Sequence, residues 1–322
     1  MLAFFRSFCG STSHIWRTFG TKNAAVFALR SLRNLFYVRS NQKIWKLPLC
    51  KEFFNAGEPG DFLHHLAAKK YLNGRLSLTQ RIDYAFDHFR IDDEAFDAAY
   101  RKAIYQDSGL NLWVKEVDGV KFSMRLRRGS TKIPEGELSV FFYADNDRLH
   151  SISFSWVMVK NAHGEREICP YISRNQARWR MDTEPLEKFE RAFPQNSPSY
   201  FCYSALQGVA RAMSASRVLA IRGEEQCCYD PNDVKHFANA YDAFWTVLGG
   251  TDSHPLGYDI PVPFLMKPLS EVSSKHRKRA TQRRANWQVI ETAAHETLAQ
   301  HRRQPTSPAP QAIRFSAEFA PS

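Results

Sequence analysis

Apolar residues recur at helical spacing through the first hundred positions and then, from Ser108, begin to alternate. Within AAVFALRSLRNLFYV, Ala28, Leu29, Leu32, Leu35 and Phe36 fall on one helical face and Arg30, Arg33 and Asn34 on another, which predicts an amphipathic basic helix. Three further helical segments follow from Asp61 to about Gln106: DFLHHLAAKKYL, LSLTQRIDYAFDHF and DDEAFDAAYRKAIYQ. Their expected boundaries are Asn73-Gly74 and Asp92-Asp93, because Asn and Gly close helices in the left-handed region and Asp caps the next one.

Beyond Ser108, LNLWVKEV, VKFSMRLRRG, ELSVFFYADN and LHSISFSWVMVK carry the strand pattern, with turns at Asp118-Gly119, Pro134-Glu135-Gly136 and Asp145-Asn146-Asp147. An antiparallel meander is expected. REICPYISRNQ adds a strand after the turn Asn161 to Gly164, and a helix is expected near Thr183, with Asp182 or Thr183 as cap and Pro185 in its first turn. Then come the helix SYFCYSALQGVARAMSA, the short strand RVLAI, a loop from Gly223 to Asp233, the helix VKHFANAYDAFWTVLGG and a finishing strand YDIPVPFLMKPL. A long helix should start at Ser273 or Ser274, and the Pro-rich tail from Gln304 is expected to be disordered. The pattern predicts an α+β protein divided at 1–106 (helical), 107–268 (a mixed, largely antiparallel sheet with flanking helices), 269–303 (a basic helix) and 304–322 (tail).

The net charge of +11 and a pI near 9.4 point to an anionic partner: a membrane surface, a nucleic acid or a phosphorylated ligand. Between residues 1 and 57, nine Lys and Arg, from Arg6 to Lys51, face Glu52 alone. The amphipathic helix there admits two readings, one lying on an anionic membrane and one, the commoner case, packed on its own domain. The run Lys275, Arg277, Lys278, Arg279, Arg283 and Arg284 opens the last helix, and it could meet lipid, nucleic acid or solvent. The N-terminus lacks an unbroken apolar region, and no stretch approaches the roughly 20 apolar residues a spanning helix needs. The 6 cysteines include no CxxC pair, so a reduced, cytoplasmic setting is expected, with peripheral attachment at the inner membrane as the lipid reading.

Two smaller constellations lead to bland readings. His64, His65 and His88 match no HExxH pattern and are read as core or solvated, with no metal expected. Cys227-Cys228 with His236 lacks a third orienting group, so the thiols are read as structural.

HSISFSWVMV, Gln176, ALQGVARAMSASRVLAI, YDAFWTVLGG and PLSEVSSKHRKRATQRR together resemble the bacterial VirK/YbjX family from about Asp61 to Arg284. The resemblance implies an accessory protein associated with virulence, cell-envelope integrity and resistance to cationic antimicrobial peptides, without firmly assigned chemistry. This chain departs from the family at Gln176-Ala177, where relatives carry Gln-Gly, and at Arg222-Gly223 and Gln226, where they place Ser-Asn and then His.

The order of elements also resembles, more distantly, the GCN5-type (GNAT) N-acetyltransferases. That likeness implies a phosphate-holding turn after a strand, here Gln176, Arg178 and Arg180, followed by helix, strand, helix and the corner Phe244 to Gly249. The cofactor of such an enzyme would be acyl-coenzyme A, with Tyr241 as general acid toward a thiolate leaving group. The turn has no glycine, however, and side chains hinder close approach of a phosphate to the backbone. The accessory reading needs no cofactor.

Overall fold

In a computed structural model the described residues are 2–32, 36–54, 66, 71–129, 135–161, 163–177 and 183–303. The N-terminal region folds as α1 (Leu2–Phe19), α2 (Thr21–Leu32), α3 (Val38–Lys46) and α4 (Pro48–Phe53). The described part of the expected amphipathic helix reaches Leu32, and a further helix precedes it. Arg33 and most of the segment DFLHHLAAKKYL, with His64 and His65, lie outside the described residues, as does the tail.

Helix α5 (Leu78–Ala95) opens with a capping box: the Ser77 hydroxyl accepts from Gln80 N, and Ser77 N donates to the Gln80 side-chain oxygen Oε1. It runs straight through Asp92-Asp93, which corrects the expected boundary. The break falls instead at Asp97, whose carboxylate caps α6 (Ala98–Tyr105) by accepting from Tyr100 N at 2.7 Å.

Asp92 has a different task. It is fully buried and accepts hydrogen bonds from the hydroxyls of Tyr105 (2.7 Å) and Tyr100 (3.2 Å). His88, one turn earlier, accepts from Trp156 N through Nδ1, so its proton sits on Nε2, which donates to the Tyr105 oxygen at 3.2 Å. Burial lowers the His88 pKa to about 3, so the imidazole is neutral and its 3.9 Å approach to Asp92 is not an ion pair. This chain ties α5 and α6 to the sheet.

The meander forms as expected: β1 (Leu110–Val117), β2 (Val120–Arg128), β3 (Leu138–Ala144), β4 (Asp147–Lys160) and β5 (Arg166–Ala177). Asp118 and Gly119 both take positive φ, 50° and 75°, as a two-residue hairpin of the primed type requires. Next come α7 (Thr183–Ala192), α8 (Pro198–Ala212) and β6 (Arg217–Ala220). A mostly helical passage follows, α9 (Val234–Phe237), a π-turn (Ala238–Ala243) and α10 (Phe244–Val247), then β7 (Thr251–His254), β8 (Gly257–Pro261) and α11 (Ser274–Gln300). The finishing strand stops at Pro261, and Thr251–His254 is an edge strand the sequence pattern had not suggested.

All eight strands join one sheet in the order β1-β2-β3-β4-β5-β6-β8-β7. Every pairing is antiparallel except β5 with β6, which is parallel through Tyr171↔Leu219 and Ile172↔Ala220. Strand β4 is buried without interruption from Leu149 to Val157, because α5 and α8 both pack against it. Phe122, Phe142, Phe189, Phe193 and Phe201 interlock around α7 and α8, with ring centroids as close as 5.0 Å.

Helix α11 lies along α8. Gly208 is required there, since a Cβ would strike the Glu291 carbonyl, and Glu291 in turn accepts from Gln207 and Arg211 at 2.5 Å.

Burial raises the Asp92 pKa from the ordinary 3.8 to about 7. A carboxyl whose folded pKa is raised favours folding while protonated, so its contribution is complete below about 4 and is lost as pH rises through 7. Asp92→Asn cannot ionise and keeps an acceptor for the tyrosines. Its thermal midpoint relative to the parent should therefore improve steadily from pH 5 to pH 8; a flat difference across that range would show that Asp92 does not titrate there.

Candidate functional site

The most polar interior region lies where β5 and β6 part. Their parallel contact ends with Ile221 N donating to Ile172 O at 2.9 Å, after which β5 continues to Ala177 paired with β4 alone. The widening gap is filled by the helical passage after β6. Trp245 donates its indole N–H to Ile221 O at 2.9 Å, and the Tyr241 hydroxyl accepts from Asn175 N at 3.4 Å. Gly223 N bonds to Asp242 Oδ1 at 3.1 Å, and a Cβ on Gly223 would sit 2.8 Å from Asp242 Oδ2. The same Cβ would sit 3.0 Å from the Phe237 carbonyl oxygen, so glycine at 223 suits the close approach of the two backbones.

Around this plug the polar groups are largely satisfied. His150 is held neutral by burial, its pKa lowered to about 4, and its Nε2 lies 2.7 Å from the Asn175 side-chain oxygen. Asn175 donates onward to Ala240 O at 2.7 Å. Gln226 donates to the buried Glu135, which also lies 2.9 Å from Arg174 in an ion pair.

A second region is open. A cavity of about 460 Å³ lies between the start of α8, the end of α10, the extended chain at 264–267 and the first turns of α11. Its aromatic wall is Tyr200 stacked on Trp287 at 4.8 Å with Phe264 beside it at 5.8 Å. Gln195, Lys267, His276, Arg279, Arg283 and Arg284 supply its polar lining, and among the described residues no acid lines it. Arg283 stands 5.3 Å over the Trp287 ring, a cation–π pair at helical spacing. Arg284 is anchored to the Lys267 carbonyl.

The chain matches the family described as "Protein of unknown function (DUF535)" over residues 16–296. It belongs to the DUF535 family. It is also 24% identical over 223 residues to "Uncharacterized protein YbjX" of Escherichia coli (strain K12), a match covering 67% of this chain and 65% of the relative, less than two thirds of the relative's length. No solved structure matches it.

Within this DUF535 protein the structure brings Gln176 and Tyr241 together, with the Gln176 side chain reaching the Tyr241 hydroxyl. Arg178 and Arg180 lie outside the described residues. Tyr241 has no solvent exposure and burial pushes its pKa up, so as it stands the hydroxyl meets only protein. Lys275, Arg277, Lys278 and Arg279 are exposed, Arg277 bonding the carbonyls of Leu269 and Val272, while Arg283 and Arg284 turn into the cavity wall. His88 is core. No group of three or more His, Cys, Asp or Glu among the described residues could hold a metal, and no described helix is long and apolar enough to cross a membrane.

Sequence reasoning passed over Tyr200, Phe264, Lys267 and Trp287. The only local signal was the four-residue spacing of Arg283 and Trp287; the other members converge from elements far apart in the chain.

Tyr241 combines a buried ring with a long hydroxyl bond. Tyr241→Phe should cost about 1 kcal/mol in chemical denaturation through the unpaired Asn175 N–H, and Tyr241→Ala about 3–5 kcal/mol through the cavity it leaves. Parent-like stability of Tyr241→Ala would show that the strands are not held apart by this side chain.

Proposed function

We propose that this DUF535 protein is a non-enzymatic accessory protein of the cell envelope that docks on an anionic membrane surface. One observation carries the reading: α1 and α2 leave apolar side chains in solvent. Trp16 and Phe19 are 56% and 60% exposed, and Val26, Leu29 and Leu32, three apart on α2, are 41%, 69% and 38% exposed. A helix pair packed on its own domain would bury that stripe; left open beside Arg17 and Lys22, it has the composition of an interfacial anchor. The exposed Lys275, Arg277, Lys278 and Arg279 add charge that anionic headgroups would attract, on the order of 1 kcal/mol per residue close to the surface. In this reading the protein works peripherally at the cytoplasmic side of the inner membrane, and the roles in virulence and resistance to cationic antimicrobial peptides follow from the VirK/YbjX resemblance.

A second reading, acyl transfer from acyl-coenzyme A, draws support from chain order. Strand β5, two helices, the parallel strand β6 and the aromatic corner occur in the order a GNAT-like fold would use. Gln176, Arg178 and Arg180 would hold the phosphates and Tyr241 would be the acid. The passage carrying Tyr241 would have to withdraw from Asn175 before it could act.

Flotation with liposomes tests the first reading. The full chain should float with vesicles containing phosphatidylglycerol and not with pure phosphatidylcholine, and Trp16→Ser/Leu29→Ser should lose most of that binding. Equal absence from both vesicle types removes the membrane reading. Thermal shift with saturating acetyl- and palmitoyl-coenzyme A tests the second, for which a positive shift is required. Retention on duplex DNA with no flotation would direct the basic surface to nucleic acid instead.

A further inference from the structure

In the wall of the cavity between α8 and α11, two buried donors have no partner among the described residues. Trp287 is 7% exposed and its indole N–H has no acceptor, and Arg283 Nε is likewise buried without a partner. Both residues belong to the cavity wall. A buried donor left unbonded is destabilising, and although both atoms are enclosed by protein as they stand, a small turn of either side chain toward an acceptor in the cavity would restore stability. Arg279 adds an exposed guanidinium with no carboxylate partner among the described residues.

The acceptor should be anionic, because the described lining holds Lys267, Arg279, Arg283 and Arg284 and no acid. It should carry several oxygens, since an indole N–H and a guanidinium N–H must both be met, which a phosphate monoester does with three acceptor oxygens. The opposite side of the cavity is apolar. Val247, Leu265 and Met266 are 64%, 64% and 45% exposed beside the Tyr200, Phe264 and Trp287 rings. A volume of about 460 Å³ falls within the range of about 300–1,000 Å³ typical of small-molecule sites.

We propose that this cavity binds a single amphiphilic phosphate, with the phosphate monoester held by Arg283, Arg279 and the Trp287 indole and the alkyl chain along Leu265, Met266 and Val247. The inference deepens the membrane reading by naming a ligand for one pocket, yet it rests on residues separate from the α1–α2 anchor. Lipid-borne and free phosphate share the head chemistry and differ in the chain.

The test is titration calorimetry of the full-length protein with monododecyl phosphate kept below its micellar concentration, set against inorganic phosphate, dodecanol and dodecanoate. Saturable one-to-one binding of monododecyl phosphate is expected, at least about tenfold tighter than any of the other three, since each lacks either the chain or the phosphate. Arg283→Met and Trp287→Phe should each weaken it by about tenfold or more, as the loss of a charge-assisted or buried hydrogen bond requires. Arg279→Glu, at an exposed position, gives the same reading if either core-facing variant fails to fold.

Trp16→Ser/Leu29→Ser should bind monododecyl phosphate normally, so loss of flotation and loss of pocket binding are separate results. No saturable binding, unchanged affinity in Arg279→Glu, or equal affinity for inorganic phosphate or dodecanoate would each overturn the proposal.

Discussion

Two residue pairs hold the molecule's halves of sheet together. Tyr171↔Leu219 and Ile172↔Ala220 are the whole parallel contact between a five-stranded meander and the C-terminal β6-β8-β7 group. So short a ladder could not support the divergence beyond it unaided. Tyr241 and Trp245 fill the gap, each joined to one of the parting chains, and the passage that carries them stays close to β6 because position 223 has no side chain. The place where an open sheet would offer a crevice is here a packed interior.

That arrangement displaces the accessible chemistry. With His150 neutral, Glu135 tied to Arg174 and Gln226, and Tyr241 buried, the groups near the divergence serve mainly to satisfy one another. Unpartnered donors also occur in the wall of the cavity under α11, where Arg283 and Trp287 turn inward while Lys275, Arg277 and Lys278 face water. One basic run is therefore divided by helical geometry into a surface and a pocket wall.

The helical half is fastened from below by another interior device. Trp156 N–H, His88, Tyr105 and Asp92 form a chain of donors and acceptors running from β4 into α5 and α6. Because every member is satisfied, burying a carboxyl and an imidazole there orders the interface instead of disrupting it. Two groups make that order sensitive to pH: ionisation of Asp92 weakens it as pH rises through about 7, and the cost of keeping His88 neutral weakens it as pH falls below about 6.5.

The linear pattern by itself determined the meander, its turns at Asp118-Gly119 and Asp145-Asn146, the short strand at Arg217 and the long helix from Ser274, since alternation, turn residues and helical period are local properties of the chain. It also marked the basic run and the family motifs. Asp92-Asp93 misled as a helix boundary because a capping Asp and a buried Asp look alike in sequence; the tyrosine hydroxyls that distinguish them arrive from the next helix. The cavity was likewise illegible. Tyr200, Phe264 and Trp287 are separated by tens of residues, and only the docking of α11 along α8, at the helix–helix approach permitted by Gly208, brings them against one another. Which arginines face solvent and which line a pocket depends on that crossing, so it was a property of the tertiary structure alone.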